Sequence, residues 1–138
     1  MPQPAVSIAF GTTEIALDPD LQWSDEFSWS PVKQSAEYSI TGALLIDESV
    51  MLAGRPITLA PPDPSAAWLT RATLNALMAW AEVPGRVMTL TLRGAARSVM
   101  FRRTDGPAIE AEPVIFVADP EPGGFGDHYL ATLRFIEV

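Results

Sequence analysis

The sequence predicts a mostly β (α+β) protein, an antiparallel β-sandwich or barrel with a single buried helix at about 64–83. Three observations lead to this prediction. Apolar and polar residues alternate over many short runs, which is typical of half-buried strands. The 9 glycines and 13 prolines separate these runs as turn signals. Only one segment has the length and composition of a helix.

Length and composition predict one domain, 1–138, a single β-rich unit with one helix. A chain of 138 residues has the size of one domain and can bury about two-thirds of its unfolded surface. Its 48% hydrophobic and 19% charged residues are typical of a folded globular protein. Neither a signal peptide nor an apolar run long enough to span a membrane is expected.

The N-terminal region predicts a hairpin and an aromatic strand. Residues 5–10 and 13–17 read as short strands on either side of a glycine turn. Further on, Trp23, Phe27 and Trp29 share parity, so an extended backbone would place all three rings on one side. We therefore expect an aromatic-anchored strand here, between two proline turns.

The next alternating run, residues 36–47, predicts one strand. Tyr38, Ile40, Leu44 and Ile46 share one face, and Gly42 between them marks a bulge or a close approach. Residues 48–54 then turn, and 55–59 return as a strand.

The segment 63–85 predicts the helix. Asp63 is a good N-cap because its side-chain oxygen can accept from free backbone N–H groups, and Pro64 suits the first helical position. Pro84-Gly85 ends the helix, since proline cannot continue the hydrogen-bond ladder. The large apolar residues cover a wide arc, namely Leu69, Leu74, Leu77, Met78 and Trp80. We expect most of the circumference to be covered by the core, or at one tryptophan by another subunit.

The C-terminal part predicts strands only. Residues 86–93 and 96–103 form the clearest hairpin in the chain. Residues 107–118 form one or two strands broken by Pro113. The last strand, 129–137, is apolar on both faces, which predicts that it is covered on both sides.

The charge distribution indicates surfaces, not a nucleic-acid site. The net charge is −8, and phosphate contacts demand clustered lysine and arginine. The first fifty residues hold eight acids against the single base Lys33, whereas five of the nine bases lie between residues 86 and 103. These regions are either solvated faces or complementary surfaces that orient one copy against the next.

The sequence predicts no catalytic residue, no cofactor and no metal site. There is no cysteine for a nucleophile or a zinc site. An EF-hand loop beginning at Asp18 fails at its sixth and twelfth positions, although an irregular Ca²⁺ site stays open. The loop at Gly123–Gly126 leads into a strand, whereas phosphate cradles lead into a helix. An enzyme using His128 with Glu110 or Glu112 is a hypothesis without a partner motif.

Two stretches, LQWSDEFSWSPVKQ (21–34) and YSITGALLIDESVMLAGRPITL (38–59), resemble known proteins. They are similar to small tail-tip or baseplate proteins of the distal-tail type from long-tailed bacteriophages. The words W-S-D-E-F-S-W and G-R-P-I-T-L anchor the resemblance. The chain would correspond to the ring-forming β-domain of such a protein.

This resemblance implies a non-enzymatic structural protein of the virion tail, assembled in the bacterial cytoplasm. It would form a homo-oligomeric ring at the end of the tail tube and connect the tube to hub and receptor-binding components. Neither a nucleic acid nor a membrane would be its partner. Two complementary patches are needed for such a ring, and we assign them here to these residues: Arg93, Arg97, Arg102 and Arg103 on one side, and Asp18, Asp20, Asp25 and Glu26, with Trp23 and Trp29 as anchors, on the other.

A second hypothesis is a ligand-binding β-domain, for example a carbohydrate-binding module that stacks sugars on Trp23 and Trp29. It requires both indoles to be exposed.

Overall fold

The computed structural model describes residues 6–104, 106–119, 121, 122, 124 and 126–138. It contains eleven strands and one helix within these ranges: β1 (Val6–Phe10), β2 (Thr13–Leu17), β3 (Gln22–Trp23), β4 (Val32–Tyr38), β5 (Leu44–Val50), β6 (Pro56–Ala60), β7 (Trp68–Thr70), α1 (Arg71–Ala81), β8 (Met88–Leu92), β9 (Ala95–Phe101), β10 (Ile109–Pro113) and β11 (His128–Glu137). The prediction of a mostly β protein with one helix is confirmed. Ala5 of the first predicted strand, and Gly123 and Phe125 of the glycine loop, lie outside these ranges.

Nine strands form one antiparallel sheet: seven follow the order β2-β1-β8-β9-β11-β6-β3, and β7 and β10 each pair with β11 beside this path. The ten-residue strand β11 is its centre, because it pairs with β9 and β6 through its second half and with β10 and β7 through its first. Strands β4 and β5 form a separate two-stranded sheet.

The short connection between β2 and β3 forces the large sheet to curl. These two strands end the sheet on opposite sides, and six strand spacings would separate them by about 29 Å in a flat sheet. The chain from Leu17 to Gln22 can span at most about 18 Å, and a hydrogen bond of 3.1 Å from the Leu21 N–H to the Asp18 carbonyl shortens it further. The sheet is therefore wrapped into a partly closed barrel.

The core fills the inside of this barrel. Inward positions alternate along β8, where Met88, Leu90 and Leu92 are buried while Thr89 is exposed, as the two-residue period of a strand requires. The rings of Phe101 on β9 and of its neighbour on β11 stack with centroids 5.1 Å apart. All buried apolar residues of the described chain belong to one cluster.

Two predicted hairpins are confirmed, and one predicted strand is wrong. Strands β1 with β2 and β8 with β9 pair as adjacent hairpins. The aromatic strand at 23–29 does not exist beyond Trp23, since the chain turns with hydrogen bonds from Glu26 to Trp23 and from Ser28 to Asp25. Phe27 consequently points to solvent and is 93% exposed.

The helix is shorter than predicted and begins at Arg71. Its N-cap is Thr70, whose hydroxyl accepts from the Thr73 N–H. Residues 68–70 form β7 instead, because they pair with β11. Of the helix, only Leu74 and Leu77 are buried, so the core does not cover most of its circumference, and contact of a tryptophan with another subunit stays a prediction.

Asp63, the predicted N-cap, closes a separate turn. The Ser65 hydroxyl and the Ser65 backbone N–H both donate to its Oδ1. These two hydrogen bonds, the side-chain one first, lower the pKa of Asp63 because they favour the charged carboxylate.

Replacing the true cap tests this boundary. Thr70→Ala removes the acceptor of the Thr73 N–H, so we expect a loss of about 1 kcal/mol in the free energy of unfolding, measured by urea titration. Asp63→Ala is the matched control and should leave the circular dichroism of the helix unchanged. A larger effect from Asp63→Ala would show that the helix begins earlier.

No helix in the described part of the chain is long and apolar enough to cross a membrane.

Candidate assembly surface

Strands β4 and β5 form a hairpin that we call the arm (residues 32–50). They pair along their whole length from Val32 with Val50 to Tyr38 with Leu44. The turn at 39–43 is closed by the Ser39 N–H donating to the Ala43 carbonyl over 2.8 Å, and Gly42 there has a φ of 87°. Every residue of both strands is exposed. The prediction of one strand over 36–47 is therefore wrong: Gly42 belongs to a turn, not to a bulge.

One face of the arm is apolar. Directly opposed residues in an antiparallel pair point to the same side, so the register places one set together, namely Val32, Ala36, Tyr38, Leu44, Ile46 and Val50. Glu48 is the one charged residue of this face, and its Oε1 accepts from the Gln34 amide over 2.8 Å. The opposite face contains Lys33, Glu37 and Asp47. The arm is thus amphipathic, yet its apolar side faces solvent in the isolated chain.

An exposed apolar hairpin is physically unusual. A two-stranded sheet alone in water is at best marginally stable, and a contiguous apolar patch on a soluble protein commonly marks an interaction site. Tyr38 is 74% exposed, and Leu52 beside the arm's base is almost fully exposed. The arm therefore has the properties of a surface that is covered in an assembly.

The base of the arm is a hydrogen-bonded polar cluster. The Arg55 guanidinium donates to the Glu26 carbonyl over 2.7 Å. The Thr58 N–H and hydroxyl donate to the two Asp25 carboxylate oxygens over 2.9 and 2.8 Å. At the C-terminal end of the arm, the Gly54 N–H donates to the Glu137 carbonyl. These bonds join the segments before and after the arm to the barrel.

Residues of the predicted arginine and acid patches contact each other within the chain. Arg93 donates to both Glu26 oxygens over 2.9 Å. Arg102 lies 3.9 Å from Asp25 and donates to the Phe135 carbonyl and the Thr58 hydroxyl. Arg93 and Arg102 are thus partners of Glu26 and Asp25 in the same chain, and contact of the two patches between copies stays a prediction.

The other predicted charged contacts behave differently from one another. Arg97 pairs with Glu137 over 3.0 Å in the same chain. Arg103 is exposed and donates to the Ala81 carbonyl at the end of the helix. Asp18 accepts from the Asp20 N–H over 2.8 Å in a solvated turn. Of the four arginines, Arg93 and Arg103 are exposed, whereas Arg97 and Arg102 are at least partly buried.

Trp23 is an anchor of the core, not an exposed platform. Its ring is 7% exposed and lies under the guanidinium groups of Arg55 and Arg97, at 4.5 and 5.1 Å. Trp29 is half-buried with Arg55 at 5.9 Å. The exposure that a sugar-stacking pair requires is absent at Trp23.

The described contacts of His128 and Glu110 are with residues outside the enzyme hypothesis. His128 begins β11 and stacks on the Trp68 ring, with centroids 5.6 Å apart. Glu110 pairs with Arg134 over 2.7 Å. Glu110 and Glu112 line an open groove of about 540 Å³ against the proline segment 61–64, and no histidine contributes to its lining. The described residues also contain no group of three or more side chains that could hold a metal ion.

Sequence reasoning missed the arm as a site, although a signal was present. The run S-I-T-G at 39–42 is a turn sequence, and the polar run before Tyr38 lacks the inward apolar residues of a barrel strand. Together these features indicate a hairpin that leaves the core.

Comparison of the chain with known protein families, with curated proteins and with solved structures finds no match.

Proposed function

We propose that this chain is a structural subunit of a bacteriophage tail tip or baseplate, and that it assembles into a homo-oligomeric ring at the end of the tail tube. It would connect the tube to hub and receptor-binding components of the virion. The observation on which the proposal depends is the arm, whose apolar face is exposed among the residues that the structure describes. Burial of such a face against a neighbour would supply the main favourable free energy of assembly.

The position of the two motifs that resemble tail-tip proteins also supports the proposal. W-S-D-E-F-S-W (23–29) and G-R-P-I-T-L (54–59) are distant in sequence but pair in the fold, since Trp23 lies opposite Leu59 and Asp25 binds Thr58. Together they form the base from which the arm extends.

Light scattering coupled to size exclusion tests the proposal. We expect the wild-type chain to form oligomers that increase with concentration, alone or with tail-tube protein, and to show rings with a central opening by electron microscopy. A strict monomer under all these conditions would contradict the proposed function.

Two neighbouring positions on the arm provide a matched pair of variants. Ile46→Asp places a carboxylate on the apolar face, whereas Leu45→Asp places one on the opposite face beside Glu37. Because burying an unpaired carboxylate is costly, we expect Ile46→Asp to weaken self-association at least ~10-fold, which corresponds to about 1.4 kcal/mol. Leu45→Asp should have a much smaller effect. Equal effects would show that the apolar face is not the interface.

A further inference from the structure

We propose that the apolar face of the arm docks on the opposite end of a second copy of this chain, beside Arg86. The receiving surface is the helix-end patch, which we define as Phe10, Trp80, Val83 and Val87. This inference rests on the self-assembly proposed above and adds the surface that the arm contacts.

The helix-end patch is apolar and has cations at its rim. The rings of Phe10 and Trp80 contact edge to face, with centroids 6.2 Å apart. Phe10, Val83 and Val87 are each more than two-fifths exposed. The Arg86 guanidinium lies 4.2 Å above the Phe10 ring, and Arg103 binds the carbonyl of Ala81 in the last turn of the helix.

The arm and the patch lie at opposite ends of the barrel. Arg93, in the turn that follows β8, binds Glu26 in the segment that leads to the arm, so the C-terminal end of β8 is at the arm's base. Val87 precedes the other end of this strand, about 16 Å away for five residues. β1 is antiparallel to β8, with Ala9 opposite Thr89, so Phe10 is also at the far end.

Glu48, the single charged residue on the arm's apolar face, indicates which exposed apolar surface can receive the arm. Glu48 would lose its hydration on docking, so the receiving surface must provide a cation. The helix-end patch provides Arg86, with Arg103 nearby. The exposed pair Ile115 and Phe116 lies in a segment flanked by Glu112 and Asp119, which would repel Glu48.

Packing of two arms against each other is disfavoured by the same charge. A symmetric contact uses the same surface of both copies, so it would bury Glu48 from each arm in one interface. The contact between arm and patch instead joins two different surfaces. Such contacts repeat from copy to copy and close into a ring when the rotation permits it.

Thiol cross-linking tests the inference, because the chain contains no native cysteine. The double variant Ile46→Cys/Val87→Cys, treated with a short bismaleimide, should give covalent dimers and higher species on denaturing gels. Ile46→Cys/Phe116→Cys is the matched control, since Phe116 is exposed but lies in the acidic segment, and it should stay monomeric on the gel. The single variant Ile46→Cys gives a covalent dimer only if two arms contact each other.

A charge exchange provides a second measurement. Glu48→Arg and Arg86→Glu should each weaken self-association at least ~10-fold, and the double variant should recover most of the loss if the two side chains interact. Thermal unfolding of each variant at low concentration separates loss of folding from loss of contact, because Arg86 also contacts Phe10 within the chain.

The outcomes separate this inference from the proposed function. Cross-linking between positions 46 and 87 with rescue by the double charge exchange supports the contact. Cross-linking through position 116, or through Ile46→Cys alone, overturns it. It is also overturned if the wild type forms rings but the Ile46→Cys/Val87→Cys variant gives no cross-link. In those cases ring assembly itself still stands. A monomeric wild type overturns both.

Discussion

Replacing Arg102 by methionine is expected to lower the free energy of unfolding by about 2–4 kcal/mol. The Arg102 guanidinium donates to the Phe135 carbonyl over 3.0 Å and to the Thr58 hydroxyl over 2.8 Å. Its loss also leaves the Asp25 carboxylate, of which less than a quarter of the side chain is exposed, without the cation at 3.9 Å. Urea titration followed by tryptophan fluorescence measures the change.

Arg103→Met is the matched control for this prediction. Arg103 is the adjacent residue, but it is exposed and donates a hydrogen bond to the Ala81 carbonyl at the surface. A surface substitution of this kind typically changes stability by less than about 0.5 kcal/mol. Comparable losses for Arg102→Met and Arg103→Met would show that the cluster at the arm's base does not stabilise the fold.

Truncating Phe135 to alanine is expected to cost about 3–5 kcal/mol, the largest effect of any single substitution proposed here. Phe135 is 0% exposed and stacks on Phe101, in the strand that joins both halves of the sheet. The cavity that remains is enclosed by β-strands, which relax little. Thermal or urea unfolding at fixed concentration checks the result.

Phe116→Ala removes the same number of atoms from a ring that is 78% exposed. It should change the free energy of unfolding by less than about 0.5 kcal/mol. A loss similar to that of Phe135→Ala would mean that the core does not depend on the centre of β11.

The sequence predicted those elements whose local pattern and tertiary pairing agree. In β8 the alternation of Met88, Leu90 and Leu92 with threonine matches one buried and one open face. The turn at Arg93 and Gly94 then closes the hairpin to β9, and both residues have a positive φ. Here adjacent strands pair with each other, so the local sequence contains nearly all the necessary information.

The helix start was mispredicted because tertiary pairing overrode local signals. Asp63 and Pro64 are a strong helix-start sequence. Asp63 does accept hydrogen bonds, but their donor is Ser65 in a turn before the helix. Leu69 instead pairs with Tyr129 of a strand sixty residues later. Such a distant partner leaves no trace in the local pattern.

The candidate site could be predicted only in part. Opposite charges led to a predicted contact between copies, whereas Arg93 and Arg102 bind the acidic segment of the same chain. Charge alone does not distinguish contacts within a chain from contacts between chains. The arm was hidden because Tyr38 and Leu44 have the apolar spacing of an ordinary core strand. Whether such a run is a core strand or an exposed hairpin depends on the burial of each face, and this burial depends on the rest of the sheet.

The central position of β11 has a consequence for synthesis. Four strands, β6, β7, β9 and β10, precede residues 128–137 in the sequence and pair with them in the fold. The barrel therefore cannot close until this last strand has left the ribosome, and the non-local pairings must then form together. A chain that lacks residues 128–137 would leave these four strands without the strand they pair with.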